Sequence, residues 1–240
     1  MNTQSNTYTF LYAAIMVVVV AALLSFAAMS LKPMQDKNVE VEKKKSILSS
    51  VSLGLDADEQ ENKNSYIESL YDKYIVDSYV VNSKGEKVKG EAFTVDLKKE
   101  LDKPVESRKL PVFVSKQDDG TKNFIIPVRG KGLWGPIWGY VALKNDYNTI
   151  VGASFDHKSE TPGLGAEINT TEFEQQFVGK KLFNKDNEFV SVDVVKGGAP
   201  DDDPHAVDAI SGGTITSNGL DAMLEDNLGS YVTYFKQHQK

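Results

Sequence analysis

From Phe10 to Leu31 the chain presents 22 almost uninterrupted apolar positions, with valine at every position from 17 to 20. A helix needs about 20 such residues to cross ~30 Å of hydrocarbon. The stretch predicts an uncleaved membrane anchor. A cleaved signal peptide would carry Lys or Arg ahead of an apolar core of about 7–15 residues. Neither holds here, although Ser25-Phe26-Ala27 has the form of a weak cleavage site. Residues 1–9 then form a short N-terminal tail, and residues 32–65 a charged connector.

Beyond the span the pattern changes period. Asp36 to Leu53 predicts a helix, with Ile47, Leu48 and Val51 as its apolar stripe. Asp56 to Asn64 is acidic and predicts a loop. Tyr74–Asn82, Phe124–Val128, Trp138–Leu143, Ile150–Phe155 and Phe189–Val195 predict strands, the first ending in a Ser83-Lys84-Gly85 turn. Thr171 and Glu174 have capping-box spacing, and Phe173 and Phe177 lie one turn apart, so a short helix is expected there. Leu220, Met223, Leu224, Leu228, Tyr231 and Phe235 fall on one face of a C-terminal helix. Mixed strand and helix periods over residues 66–240 predict one α+β domain.

Charge sharpens the division. None of the 27 basic or 34 acidic residues precedes Lys32. The net charge of −7 leaves no basic surface to neutralise a run of phosphates, which excludes nucleic acid as a partner class. The absence of cysteine removes disulfides, thiolate metal sites, iron–sulfur clusters and thiol nucleophiles. His157, His205 and His238 are too scattered for a metal triad, and Asp201-Asp202-Asp203 before Pro204 reads as a solvated turn, so no metal is expected.

Three stretches carry candidate chemistry. Gly130-Lys131-Gly132-Leu133-Trp134-Gly135 matches G-x-G-x-x-G. A dinucleotide fingerprint requires a helix to open there, whereas Pro136, Ile137, Trp138, Gly139 and Tyr140 are strand material. A hairpin-like crossing with two partly buried tryptophans is expected instead. Glu160-Thr161-Pro162-Gly163-Leu164-Gly165 could bring bare backbone against a flat ligand. Asp208-x-x-Ser211-Gly212-Gly213-Thr214-Ile215-Thr216 precedes the C-terminal helix, where free N–H groups and the helix dipole favour an anion. A plain turn and an ordinary helix start remain open for these last two.

Together these stretches resemble the bacterial covalent FMN-binding domains, in particular the family of C subunits of sodium-translocating NADH:quinone reductases. Asp208-x-x-Ser211-Gly212-x-Thr214 looks like that family's flavinylation motif D-x-x-S/T-G-A-T, with Gly213 where alanine is usual. The resemblance implies a twisted, mostly antiparallel sheet and one FMN, joined through its phosphate to Thr214 by a flavin transferase. It further implies Ser211, Gly212, Gly213 and Thr216 around the phosphate. Glu160, Thr161, Gly163, Leu164 and Gly165 would lie beside the ring, with Thr161 and Leu164 as the nearest side chains. No residue of the chain is expected to act as a base or a recurring nucleophile.

The implied role is an electron relay within a membrane reductase that passes electrons from NADH to a quinone and exports sodium, with other subunits as partners. An equivalent subunit of the related Rnf-type ferredoxin:NAD oxidoreductase and a non-redox membrane-anchored protein are the alternatives. The resemblance places the flavin domain on the periplasmic side of a bacterial inner membrane. Lys32, Lys37, Lys43, Lys44 and Lys45 follow the span, and the positive-inside rule alone argues the reverse.

Overall fold

The computed structural model describes residues 5–239; the first four residues of the expected tail lie outside that range. The chain forms two compact units, residues 1–43 and 44–240. The first consists of most of helix α1 (Asn6–Ser49). Among the described residues this is one helix long and apolar enough to cross a membrane, and its apolar window is unburied. The predicted span and the predicted charged helix are thus a single continuous helix. Pro33 lies inside it.

In the second unit the end of α1 leads to α2 (Lys63–Tyr74), whose first turn Asn62 caps by accepting the Ser65 N–H at 3.1 Å. Strands β1 (Ile75–Val81) and β2 (Lys87–Val88) follow, then α3 (Leu97–Leu101). Strands β3 (Leu110–Lys116), β4 (Lys122–Lys131), β5 (Pro136–Leu143) and β6 (Ile150–His157) complete an antiparallel sheet of order β2-β1-β3-β4-β5-β6. A 3₁₀ segment (Gly165–Asn169) and α4 (Thr171–Gln175) come next. A short parallel pair, β7 (Asp193–Val195) and β8 (Ala206–Asp208), precedes α5 (Thr214–Gly229) and α6 (Val232–His238).

Both faces of the sheet are covered, and its alternation divides two cores. Val112, Val114, Ile126 and Val141 face the C-terminal helices. Phe113, Ile125, Tyr140 and Ala142 face the other way, onto Ile47, Val51 and Ala92. All six predicted helix positions from Leu220 to Phe235 are buried, each stabilising the fold by ~1.5–3 kcal/mol. Asn227 fastens α5 to β4: its carbonyl accepts the Arg129 N–H at 2.8 Å and its amide donates to the Arg129 carbonyl at 3.2 Å. Those bonds hold the C-terminal end of α5 on β4, while a Cβ on Gly219 would overlap the Lys131 carbonyl, so the first half of the helix lies close against the end of β4.

Four local expectations are corrected. The C-terminal helix is two helices, because Ser230 and Tyr231 close α5 with short-range bonds before α6 begins. Only Asp193–Val195 of the Phe189–Val195 stretch is strand. Ser191 takes a left-handed conformation (φ 62°), and its N–H and that of Val190 both donate to the Leu182 carbonyl. The cap of α4 is Thr170, whose hydroxyl accepts the Phe173 N–H at 3.4 Å, so Thr171 is already helical. Trp134 is 65% exposed at the hairpin tip; Trp138 alone is partly buried.

Candidate functional site

The three motif stretches converge on one carboxylate. Glu160 is 5% exposed. Its Oε1 accepts the N–H groups of Trp134 (2.8 Å) and Gly135 (3.2 Å). Its Oε2 accepts the Leu133 N–H (3.3 Å) and the Thr216 hydroxyl (2.6 Å). Burial pushes its pKa upward, but the Thr216 hydroxyl and the three N–H groups outweigh that and hold it below the ordinary glutamate value. Glycine is required on both sides. A Cβ on Gly132 would lie 2.7 Å from Oε1, and one on Gly165 would lie 2.7 Å from Oε2 and overlap the Thr216 hydroxyl.

Each motif reaches this point by its own local logic. The β4–β5 hairpin turns through 132–135, where the Gly132 N–H donates to the Gly135 carbonyl at 2.8 Å. The Glu160 loop folds tightly because the Thr161 carbonyl accepts both the Leu164 and Ala166 N–H groups at 3.1 Å. The third stretch closes a turn from Ile210 to Gly213, with Gly212 at φ 75°, and then enters α5. The Ser217 hydroxyl accepts the Ile210 N–H at 3.1 Å and pins that turn to the helix.

Between these walls lies a cleft of about 230 Å³, lined by Leu133, Glu160, Thr161, Leu164, Gly165, Gly212, Gly213, Thr214, Ile215 and Thr216. Eight of the ten predicted site residues are among them; Ser211 and Gly163 are not. Leu133 and Ile215 are additions. Leu133 was legible inside the glycine motif, whereas nothing in the spacing marked Ile215. Leu133, Trp134, Leu164 and Ile215 are exposed apolar side chains. Three of them line the cleft, which gives it an apolar wall suited to a flat aromatic ring.

The hydroxyls of Ser211, Thr214 and Thr216 have three different environments. Thr216 is 1% exposed and its hydroxyl donates to Glu160, so of this residue the backbone N–H is left to face an anion. Ser211 is exposed and outside the cleft. Thr214 is half-buried, lines the cleft, and its hydroxyl makes no hydrogen bond among the described residues. It is the first residue of α5, whose N-cap Gly213 has no side chain to offer. The first backbone bond of the helix runs from Ser217 N–H to the Gly213 carbonyl, so the N–H groups of residues 214–216 precede it. An anion at this end is favoured by both those donors and the helix dipole.

Glu160 lines the cleft, and its side chain ties the hairpin turn to Thr216. Asp208 sits at the surface, its carboxylate accepting the Ala199 N–H at 2.6 Å. No group of histidines and acids able to hold a metal occurs among the described residues.

The model of the FMN-binding domain matches residues 132–229, which begins at the hairpin turn and spans every cleft residue. The C subunit of the Na(+)-translocating NADH-quinone reductase of Vibrio anguillarum is 32% identical, over 95% of this chain and 92% of that protein. The chain belongs to this C-subunit family. The crystal structure of the corresponding protein from Parabacteroides distasonis, also a C subunit of a Na(+)-translocating NADH-quinone reductase, has a TM-score of 0.75 at 42% identity, covering 85% of this chain and 96% of that one. Shewanella oneidensis NqrC gives 0.68 at 27% identity, covering 82% and 96%. The family's α+β fold with its antiparallel sheet is the one found here.

Proposed function

We propose that this chain carries FMN as a phosphoester on Thr214 and serves as an electron-transfer subunit of a sodium-exporting NADH:quinone reductase. The observation that carries the reading is Thr214 itself: an unbonded hydroxyl on the first residue of α5, opening into the cleft that the motifs build. The residues present fit the cofactor. Free N–H groups at the helix start suit the phosphate, and Leu133, Leu164 and Ile215 offer apolar surface to the ring. FMN, when bound, supplies redox chemistry that no protein side chain provides. The chain's own part is to hold it, orient it and exclude water from one side.

A helix-end interaction is worth at most ~2 kcal/mol, too little to retain a cofactor through repeated redox cycles. A covalent link meets that need. Asp208 is at the surface ahead of Thr214, which supports a role in recognition by a flavin transferase during maturation. The other subunits of the reductase would bind beside the anchor and the cleft mouth, with α1 in the inner membrane and the flavin domain in the periplasm. The similarity to quinone-reductase subunits over nearly the whole chain favours this over the Rnf-type alternative.

The test is co-expression with a flavin transferase, followed by denaturing electrophoresis. The unsubstituted chain is expected to give a fluorescent flavin band, and Thr214→Ala a folded chain with none. A fluorescent Thr214→Ala band would overturn the assignment.

A further inference from the structure

The cleft has one feature that holding a cofactor by phosphate and apolar contact does not require: a buried, ionised carboxylate in its lining. Four donors converge on Glu160 from two separate segments, 133–135 and Thr216, and its own N–H in turn donates to His157 Nδ1 at 3.2 Å. A turn cap of this kind can be made by a neutral acceptor. A charge in its place costs desolvation, and Gly132 and Gly165 are kept free of side chains to admit it.

We propose that Glu160 is a positioning residue for the flavin, holding the two walls of the cleft in register and setting the flavin's reduction potential through its fixed negative charge. This rests on the reading that FMN occupies the cleft. The carboxylate acts in two separable ways. Its hydrogen bonds keep the Leu133 wall and the Thr216–Gly165 wall at one spacing, which restrains the ring between them. Its charge opposes the added negative charge of a reduced flavin in a site where water screens little, and so holds the potential down. Thr216 moderates that field, because its hydroxyl offsets part of the charge on Oε2.

The two roles give variants of opposite sign. Full-length chain, flavinylated by a co-expressed transferase and purified in detergent, is titrated redox-spectroscopically, and flavin fluorescence anisotropy is recorded alongside. Glu160→Gln keeps a carbonyl acceptor and removes the charge. The equilibrium is expected to shift about tenfold toward reduced flavin, equivalent to about +59 mV for a one-electron couple, with anisotropy near that of the unsubstituted chain. Glu160→Ala also loses the tie, and its flavin anisotropy is expected to fall. Thr216→Val leaves the charge less compensated and is expected to move the potential down. A role confined to folding would move both Glu160→Gln and Thr216→Val the same way. If Glu160→Gln does not fold, the downward shift in Thr216→Val decides the question. Flavin present with unchanged potentials overturns this inference alone; no flavin on the unsubstituted chain overturns the covalent reading and this inference with it.

Discussion

Replacing Thr216 with valine removes one hydroxyl from a fully packed position and nearly nothing else. Thr216 is buried, and its hydroxyl donates to Glu160 Oε2 at 2.6 Å, the shortest of the four bonds to that carboxylate. A hydrogen bond to a charged group contributes ~1.5–3 kcal/mol. Three backbone donors remain, so the lower part of that range, about 2 kcal/mol, is expected. For a domain of this size that corresponds to a fall in Tm of ~4–8 °C. The sign with pH follows from Glu160, whose pKa is held low in the folded protein. A depressed carboxylate stabilises the fold above its unfolded pKa, and that stability is lost as pH falls through the folded value. Thr216→Val weakens the depression, so its penalty is full at pH 7 and shrinks in acid as Glu160 protonates. Denaturant unfolding of the unflavinylated chain in micelles, followed by tryptophan emission, measures this directly, because both tryptophans, Trp134 and Trp138, lie at or beside the hairpin turn. A penalty below ~0.5 kcal/mol, typical of a neutral surface change, or one independent of pH, would refute the argument.

Gly165→Ala places a methyl group against the Thr216 hydroxyl and the Glu160 carboxylate. It is expected to destabilise by ~1–3 kcal/mol, as overpacking does, and denaturant midpoints check it. Glu174 accepts the Phe155 N–H at 2.7 Å, yet burial, aided by the nearby charge of Asp156, pushes its pKa up to about 7. A raised carboxyl binds its proton more tightly when folded, so stability declines as pH rises from about 4.5 to about 7. Glu174→Gln is expected to flatten that decline in denaturation curves at pH 5 and pH 8. For topology, protease added to intact spheroplasts is expected to digest the domain beyond Lys32; protection until the inner membrane is broken would reverse the assigned orientation.

What the sequence made legible followed from period and composition. The long apolar helix, four of the strands and the six-residue C-terminal stripe all declared themselves. Strand β3 did not, because Pro111 interrupts a run that is buried on both faces and so lacks alternation. Helix α2 was hidden by its polar exposed face, with Ile67 and Tyr74 as its buried residues. The break at Ser230 is invisible to a pattern that keeps the same apolar face through α5 and α6. At the site, motif order led to the segments that line the cleft, since turns with fixed glycines keep local signatures. The pairing of Glu160 with Thr216, 56 residues apart, belongs to tertiary structure. Spacing could place both residues in the cleft but could not show that they bond each other.

One hydroxyl, on the first residue of α5, is the proposed attachment point. Peptide mass spectrometry of the chain co-expressed with a flavin transferase tests it most directly. The mass of an FMN phosphoester is expected on the peptide containing residues 211–216, with fragment ions assigning it to Thr214. Assignment to Ser211 or Thr216, or an unmodified peptide, would contradict it.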